Sequence, residues 1–91
     1  MKVTVEYGAI LREAAGLASE AIDVAELELA AVVAEVCRRH PGQLRSWLMD
    51  RNSQKLSQNI LVAINGVSTR ENAPKLCVGD TILLMPVLAG G

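Results

Sequence analysis

Only one segment of the chain has the length and periodicity of a long amphipathic helix. Residues 24–40 carry apolar side chains on one stripe with helical spacing: Leu29, Val32, Val33, Val36 and Cys37. Asp23 and Glu26 have the spacing of a capping box at its start, and Pro41-Gly42 ends it. One helix of this length covers only one face of a sheet, so the fold depends on the strands that flank it.

Strand patterns lie before and after this helix. Alternating or apolar runs bounded by turn residues predict strands at residues 2–7, 20–24, 60–64, 67–69 and 81–85. Asn65-Gly66 is a strong hairpin signal. The segments between the strands predict a short helical turn or compact loop at 8–16, a short second helix at 43–50 and a polar loop at 51–58. This order indicates an α+β domain.

The last strand is apolar on both faces. Ile82 and Leu84 point to one side, and Leu83 and Met85 point to the other, as in strands covered on both faces. Two interpretations remain open. Either the short helix at 43–50 covers the second face together with loops, or that face is an apolar patch for a partner protein. The short helix has three apolar side chains available to dock: Leu44, Trp47 and Leu48.

Composition argues against two classes of partner. The 91-residue chain is 51% hydrophobic, has a net charge of -1, and contains only two aromatic side chains, Tyr7 and Trp47. Nucleic-acid platforms need a basic field or stacked aromatics, so we predict no nucleic-acid partner. No apolar run approaches the roughly 20 residues of a membrane span, and no signal peptide is evident, so we predict no membrane partner. Two isolated cysteines are not a disulfide framework, which favours a cytoplasmic location.

Charge is distributed unevenly along the chain. Residues 1–37 sum to -5 and residues 38–91 sum to +4, which together give -1. Five bases fall within one stretch: Arg38, Arg39, Arg45, Arg51 and Lys55. This stretch is either an ordinary solvated surface or a docking surface for an acidic partner.

Few side chains are suited to catalysis. His40, the single histidine, falls at the end of the long helix, where a cationic ring favours the helix dipole. Cys37 lies on the apolar stripe and Cys77 lies between Leu76 and Val78, so both are predicted to be small core residues. These three groups do not form a zinc site, and the spacings yield no nucleophile–base pair. We therefore predict no metal, no cofactor, no catalytic residue, and a protein that is not an enzyme by itself.

The C-terminal tail is the most unusual feature. After the last strand and Pro86 come Val87-Leu88-Ala89-Gly90-Gly91. Glycines lack a Cβ, so the last two residues can pass through a narrow slot. The terminal carboxylate is an anion at neutral pH, and it must be activated, for example as an acyl adenylate, before a sulfur or amine nucleophile can attack it. The alternative is a frayed terminus without a function.

Three stretches carry a resemblance to a known family. They are V-E-Y-G-A-I-L-R-E-A-A-G (Val5–Gly16), R-R-H-P-G (Arg38–Gly42) and, most specific, V-G-D-T-I-L-L-M-P-V-L-A-G-G (Val78–Gly91). The chain resembles the ubiquitin-like β-grasp sulfur carriers (MoaD/ThiS-like), above all the small subunit of molybdopterin synthase. The resemblance implies one domain over 1–91 with a flexible tail at 87–91. In that fold the first and last strands are central and parallel, and the helix crosses one face.

The resemblance also implies a function for the tail. Gly91 would be adenylated by a ubiquitin-activating-type enzyme and converted to a thiocarboxylate, while Gly90 keeps the tail slim. The sulfur would pass to a biosynthetic acceptor similar to the large subunit of molybdopterin synthase. The chain would then be a carrier, at most a small non-catalytic subunit. Residues at the end of the last strand would form the partner interface: Leu83, Met85, Pro86, Val87 and Leu88.

Some positions depart from the family pattern. Met85 stands where the family has an aromatic residue before the proline, and Tyr7-Gly8 stands where it often has Phe-Ala. Extra residues around 43–58 favour the molybdopterin-like or cysteine-pathway branches over the thiamine branch. Two alternatives stay open. One is a ubiquitin-like modifier joined through Gly91 to lysines of target proteins, and the other is a plain interaction domain whose Gly-Gly end is incidental.

Overall fold

The computed structural model describes residues 1–71 and 73–87, and this part of the chain forms a five-stranded sheet with three helices. The elements are β1 (Lys2–Tyr7), α1 (Ile10–Ala15), β2 (Ser19–Asp23), α2 (Leu29–Arg39), α3 (Gln43–Leu48), β3 (Ile60–Ile64), β4 (Val67–Thr69) and β5 (Thr81–Pro86). All the predicted strands and helices are present, and residues 8–16 contain α1.

The sheet has mixed strand directions and the order β2-β1-β5-β3-β4. β1 and β5 are parallel at the centre, with Val5 opposite Ile82, and the other neighbouring pairs are antiparallel. Asn65 and Gly66, with φ angles of 52° and 86°, form the turn between β3 and β4 that the Asn-Gly pair predicts. The prediction of an α+β β-grasp fold with its first and last strands central and parallel is confirmed.

Helices cover one face of the sheet. All five residues of the predicted α2 stripe are buried, and they share one core with alternate residues of the central strands: Val3, Val5, Tyr7, Ile82 and Leu84. α1 and α3 add Leu11, Leu44 and Leu48 to the same core. Because α3 packs on the side of α2, the interpretation in which α3 covers the second face of β5 is wrong.

The start of α2 differs from the prediction. The helix begins at Leu29, and Glu28 is the N-cap residue without a side-chain capping hydrogen bond. Asp23 is instead the last residue of β2, paired with Lys2, and its carboxylate accepts a hydrogen bond of 2.8 Å from the amino group of Met1. The capping-box spacing was therefore misleading, because pairing with β1 holds Asp23 in the sheet.

Two side chains predicted to dock or to lie in the core are exposed. Cys77 is exposed in the turn before β5, where its N–H donates to Asp80 Oδ2 at 2.8 Å, while the neighbouring Leu76 takes the buried position. Trp47 is 42% exposed, because Leu44 and Leu48 fill the contact of the short α3 with the core. Cys37 is buried as predicted.

Residues 1–71 and 73–87 lack two features that would point to other functions. No helix there is long and apolar enough to cross a bilayer. In the same residues, no three His, Cys, Asp or Glu side chains are grouped so as to hold a metal ion.

Candidate functional site

The end of β5, from which the tail leaves, is held by only one neighbouring strand. On the β1 side, the pairing ends where the Gly8 N–H donates to the Leu84 carbonyl at 2.9 Å. On the β3 side, Pro86 is opposite Ile60, and the Val87 N–H donates to the Asn59 carbonyl at 2.6 Å. β5 therefore continues beyond the end of β1.

Pro86 does not interrupt this pairing, although a proline has no backbone N–H to donate. Backbone groups of successive residues in a strand point to opposite sides. The Leu84 carbonyl points towards β1 and the Val87 N–H points towards β3, so the side on which Pro86 lacks an N–H is the β1 side. Since β1 has already ended there, the proline removes no ladder hydrogen bond.

The face of the sheet opposite the helices is apolar around the end of β5. Leu83 lies opposite Ala63 and Met85 opposite Leu61, so the four side chains share this face, which we call the open face. Leu61, Leu83 and Met85 are all partly exposed. The interpretation of the last strand as apolar on a second, uncovered face agrees with this arrangement.

Gly8 determines how Met85 lies on the open face. A Cβ added at Gly8 would be 3.1 Å from Cγ and 3.2 Å from Sδ of Met85, closer than an ordinary van der Waals contact. The methionine side chain therefore lies against the backbone at the end of β1, in space that a larger residue would fill. A thioether side chain adapts easily to different apolar surfaces.

Four of the five predicted interface residues lie in the described part of the chain and come together. Leu83 and Met85 are on the open face, Pro86 is partly exposed, and Val87 is 40% exposed at the end of the strand. Leu88 and the two terminal glycines, Gly90 and Gly91, lie outside the described residues, so their predicted roles stay predictions.

A polar cluster on the helix-covered face was not predicted. Glu20 accepts hydrogen bonds of 2.6 Å from the Tyr7 hydroxyl and 3.3 Å from Arg39, and its Oε2 is 2.6 Å from His40 Nε2. The Tyr7 and His40 rings meet edge to face, 6.1 Å apart. Glu20 and Ile22 are two residues apart in β2, so their side chains lie on the same face of the sheet. Because Ile22 is predicted to point inward, this spacing was the signal from which an inward Glu20 could have been predicted.

The cluster alters the acidity of its members. Burial, followed by the hydrogen bond to Glu20, raises the pKa of Tyr7 far above its ordinary value. Burial also raises the pKa of Glu20, but the hydrogen bonds from Tyr7, His40 and Arg39 outweigh it, so the net pKa is below the ordinary value. The cluster thus holds a carboxylate in its ionised form and ties the C-terminal end of α2 to β1 and β2.

Comparison with protein families decides the assignment. A model described as the ThiS family matches residues 5–91, which is nearly the whole chain. The chain belongs to the ThiS family. The resemblance to β-grasp sulfur carriers is thereby confirmed. Comparison with curated protein sequences gives no significant match.

Solved structures similar to this chain come from several branches. Small archaeal modifier protein 1 from Methanosarcina acetivorans has a TM-score of 0.83 at 26% identity, over 99% of this chain and 96% of that one. A putative molybdopterin converting factor, subunit 1, from Pyrococcus furiosus has a TM-score of 0.70 at 26% identity, over 97% of this chain and 99% of that one. A chain of the Amycolatopsis orientalis BexX/CysO complex has a TM-score of 0.71 at 26% identity, over 98% of this chain and 99% of that one. Together they place the chain among ubiquitin-like sulfur carriers and protein modifiers.

Proposed function

We propose that this ThiS-family chain is a sulfur carrier whose terminal Gly91 is adenylated and converted to a thiocarboxylate. The observation that carries the proposal is the end of β5. A central strand continues past its neighbour, leaves an apolar open face beside it, and is followed in the sequence by a tail that closes with Gly90-Gly91. The chain itself supplies no catalytic residue in this proposal.

The chemistry takes place in a partner of the ubiquitin-activating type. The Gly91 carboxylate attacks the α-phosphorus of ATP, pyrophosphate leaves, and an acyl adenylate forms. Hydrosulfide then attacks the acyl carbon, AMP leaves as the C–O bond breaks, and a proton is released as the thiocarboxylate forms. The sulfur is then donated to a biosynthetic enzyme. The open face and the residues Pro86 and Val87 supply the docking site for the adenylating enzyme and, after it has left, for this acceptor.

Within this proposal, the acceptor is an enzyme of molybdopterin-like cofactor synthesis in the cytoplasm, where ATP is available. The similarity to the Pyrococcus furiosus putative molybdopterin converting factor subunit supports this branch. Carriers for cysteine or thiamine synthesis would use the same activated terminus, and the match within the BexX/CysO complex keeps a related sulfur-carrier branch open.

A second candidate function is protein modification. The similarity to small archaeal modifier protein 1, over nearly the full length of both chains, favours it. The adenylated Gly91 would then be attacked by a lysine amine in place of hydrosulfide, which gives an isopeptide bond and AMP. The two functions differ only in the nucleophile.

Intact-protein mass spectrometry tests the proposal. The chain is incubated with ATP, the adenylating enzyme of the same organism and sulfide. We expect a gain equal to the mass difference between sulfur and oxygen, located on the C-terminal peptide. Peptides from cell extracts in which a lysine carries the C-terminal segment of this chain in isopeptide linkage would instead support the modifier function. Sulfur found on Cys37 or Cys77, or no change at the terminus, would contradict the carrier function.

Deletion of Gly91 is the matched variant for this assay. It shortens the reach of the tail by roughly 3.3–3.6 Å, so we expect no adenylation. We expect no change in the melting temperature, because chain termini seldom belong to a core and the core of the described residues extends from Val3 to Leu84. An alanine added after Gly91 should also abolish adenylation, since it displaces the carboxylate. Activity of either variant would show that the terminal position is not decisive.

A further inference from the structure

The segment that joins α3 to β3 lies beside the base of the tail. Asn59 accepts the hydrogen bond from Val87, and Ile60 is paired with Pro86, so this segment enters the sheet at the point where β5 ends. We call residues 43–59, which comprise α3 and this connection, the collar. The collar is on the helix side of the molecule and not on the open face.

The tip of the collar is well fixed by hydrogen bonds. Met49 and Leu56 form an antiparallel bridge, and the Ser57 N–H donates to the Leu48 carbonyl at 2.7 Å. Within this bridge, the Asp50 N–H donates to the Lys55 carbonyl at 2.7 Å. The loop that carries Arg51 and Lys55 is therefore preorganised.

The exposed side chains of the collar have the composition of a binding surface. Arg45, Arg51 and Lys55 are exposed and form no ion pair with any residue in the described ranges. Trp47, in the same segment, is also exposed, whereas the other aromatic residue of the chain, Tyr7, is fully buried. Tryptophan and arginine are the residues most enriched at the energetic centres of protein interfaces.

The rest of the basic stretch differs from the collar. Arg38 is bound to Glu35 at 2.6 Å, and Arg39 is bound to Glu35 at 3.1 Å and to Glu20 at 3.3 Å. These two guanidinium groups are already occupied within the molecule. The one acid of the collar, Asp50, uses Oδ1 to accept the Asn52 N–H at 2.8 Å and leaves an excess of two positive charges among the three bases and one acid.

We propose that the collar is a second docking surface, which binds an acidic protein surface beside the slot of the adenylating enzyme that receives the tail. This inference rests on the proposed function. Any enzyme that accommodates the tail must approach its base, and the collar joins the sheet there through Asn59 and Ile60. The open face lies on one side of the sheet at the end of β5 and the collar packs on the other, so a partner that contacts both would be oriented at this end of the strand.

A protein partner fits the collar better than a nucleic acid. Phosphate backbones are bound by extended basic fields, and the chain as a whole has a net charge of -1. A single exposed aromatic side chain offers no series of stacking positions for bases. Three exposed bases and one exposed tryptophan within a 17-residue segment match an acidic protein surface.

Charge reversal with a matched control tests the proposal. The variant Arg51→Glu/Lys55→Glu lowers the net charge from -1 to -5, and the control Lys2→Glu/Lys75→Glu makes the same change. Lys2 and Lys75 are exposed at the other end of β1 and β5, since Lys2 starts β1 and Lys75 precedes β5. Adenylation by the adenylating enzyme of the same organism is measured as ATP–pyrophosphate exchange at low and moderate salt concentrations.

We expect the collar variant to raise the KM for the carrier by about tenfold or more at low salt, with kcat unchanged, and the control to change it by less than about twofold. The KM of the parent should rise with salt more steeply than that of the collar variant. Trp47→Ala should raise KM at both salt concentrations, whereas Val78→Ala, which truncates an exposed apolar residue in the turn before β5, should not.

The outcomes separate the two proposals. If the parent is adenylated and all collar variants match it in KM and salt dependence, the collar is not a docking surface but the proposed function stands. If the parent is not adenylated at all, the proposed function fails and the collar proposal fails with it. If transfer RNA binds the parent but not the collar variants, and these variants are adenylated normally, the partner of the collar is a nucleic acid and the proposal is overturned.

Discussion

The two faces of β5 have opposite properties, although they alternate along the same short strand. Ile82 and Leu84 are fully buried under the helices, whereas Leu83 and Met85 remain partly exposed. Full burial of such a side chain contributes about 1.5–3 kcal/mol, and a partly exposed one contributes only a fraction of this. The covered face therefore contributes more to the stability of the domain than the open face, which we propose as a docking surface.

The largest expected effect is a charge placed under the helices. Val36 is fully buried in α2, so Val36→Asp would bury an unpaired carboxylate or force its protonation. We expect loss of the folded state, because a domain of this kind has only about 5–15 kcal/mol of stability. Thermal unfolding followed by circular dichroism measures this.

Val67→Asp is the matched control for this variant. Val67 is 70% exposed on the edge strand β4, so the same substitution should change stability by less than about 0.5 kcal/mol. Equal melting temperatures for the two variants would contradict the assignment of the covered face.

An intermediate effect is expected in the polar cluster of the covered face. Glu20→Ala leaves the buried Tyr7 hydroxyl and the ring of His40 without their acceptor, at a cost of about 1–3 kcal/mol. Urea unfolding gives this difference directly. Glu13→Ala, which removes an exposed carboxylate from α1, should be nearly neutral. Equal losses in the two variants would show that the cluster does not stabilise the fold.

The same carboxylate makes stability depend on pH. The pKa of Glu20 is lower in the folded chain than its ordinary value of 4.5, so the unfolded chain binds a proton first as the pH falls. The stabilisation is complete above that ordinary value and is lost as the pH falls through the folded pKa. The stability difference between parent and Glu20→Ala should therefore shrink on acidification from about pH 6 to about pH 3. A difference that stays constant would contradict this assignment.

The smallest effect on stability, but a clear effect on binding, is expected on the open face. Met85→Lys should change the free energy of unfolding by less than about 0.5 kcal/mol, because the ammonium group can reach water. It should weaken partner binding by more than about 1.4 kcal/mol, a factor of ten. Titration calorimetry with the adenylating enzyme measures the affinity. Val78→Lys, at an exposed site in the turn before β5, is the control and should leave both stability and binding unchanged. If Met85→Lys unfolds the domain, Met85 belongs to the core and its assignment to the open face is wrong.

Local patterns were sufficient to predict the helices and strands, and the resemblance to the sulfur carriers implied how the strands are arranged. The helical spacing of Leu29 to Cys37 identified every buried residue of α2, and the Asn65-Gly66 pair identified the hairpin. These signals are strong because each depends only on neighbouring residues. The fold and the residues at the end of β5 could therefore be predicted from the sequence, although the role of the terminal glycines is still to be tested.

Non-local contacts could not be predicted in this way. The approach of Met85 to Gly8 depends on the register of β1 against β5, two strands at opposite ends of the chain. The binding of Asp23 to the amino group of Met1 competes with helix capping and is visible only once β2 is paired. Spacing alone does not tell which of two possible partners a side chain will have.

Pro86 has a consequence for the behaviour of the protein at high concentration. A strand that extends past its neighbour exposes an unpaired backbone edge, which can recruit a strand of another molecule and start aggregation. Pro86 has no N–H to offer on that edge, so a second copy cannot complete a ladder there. The residue that ends β5 thus disfavours strand pairing between two copies of the chain at this position.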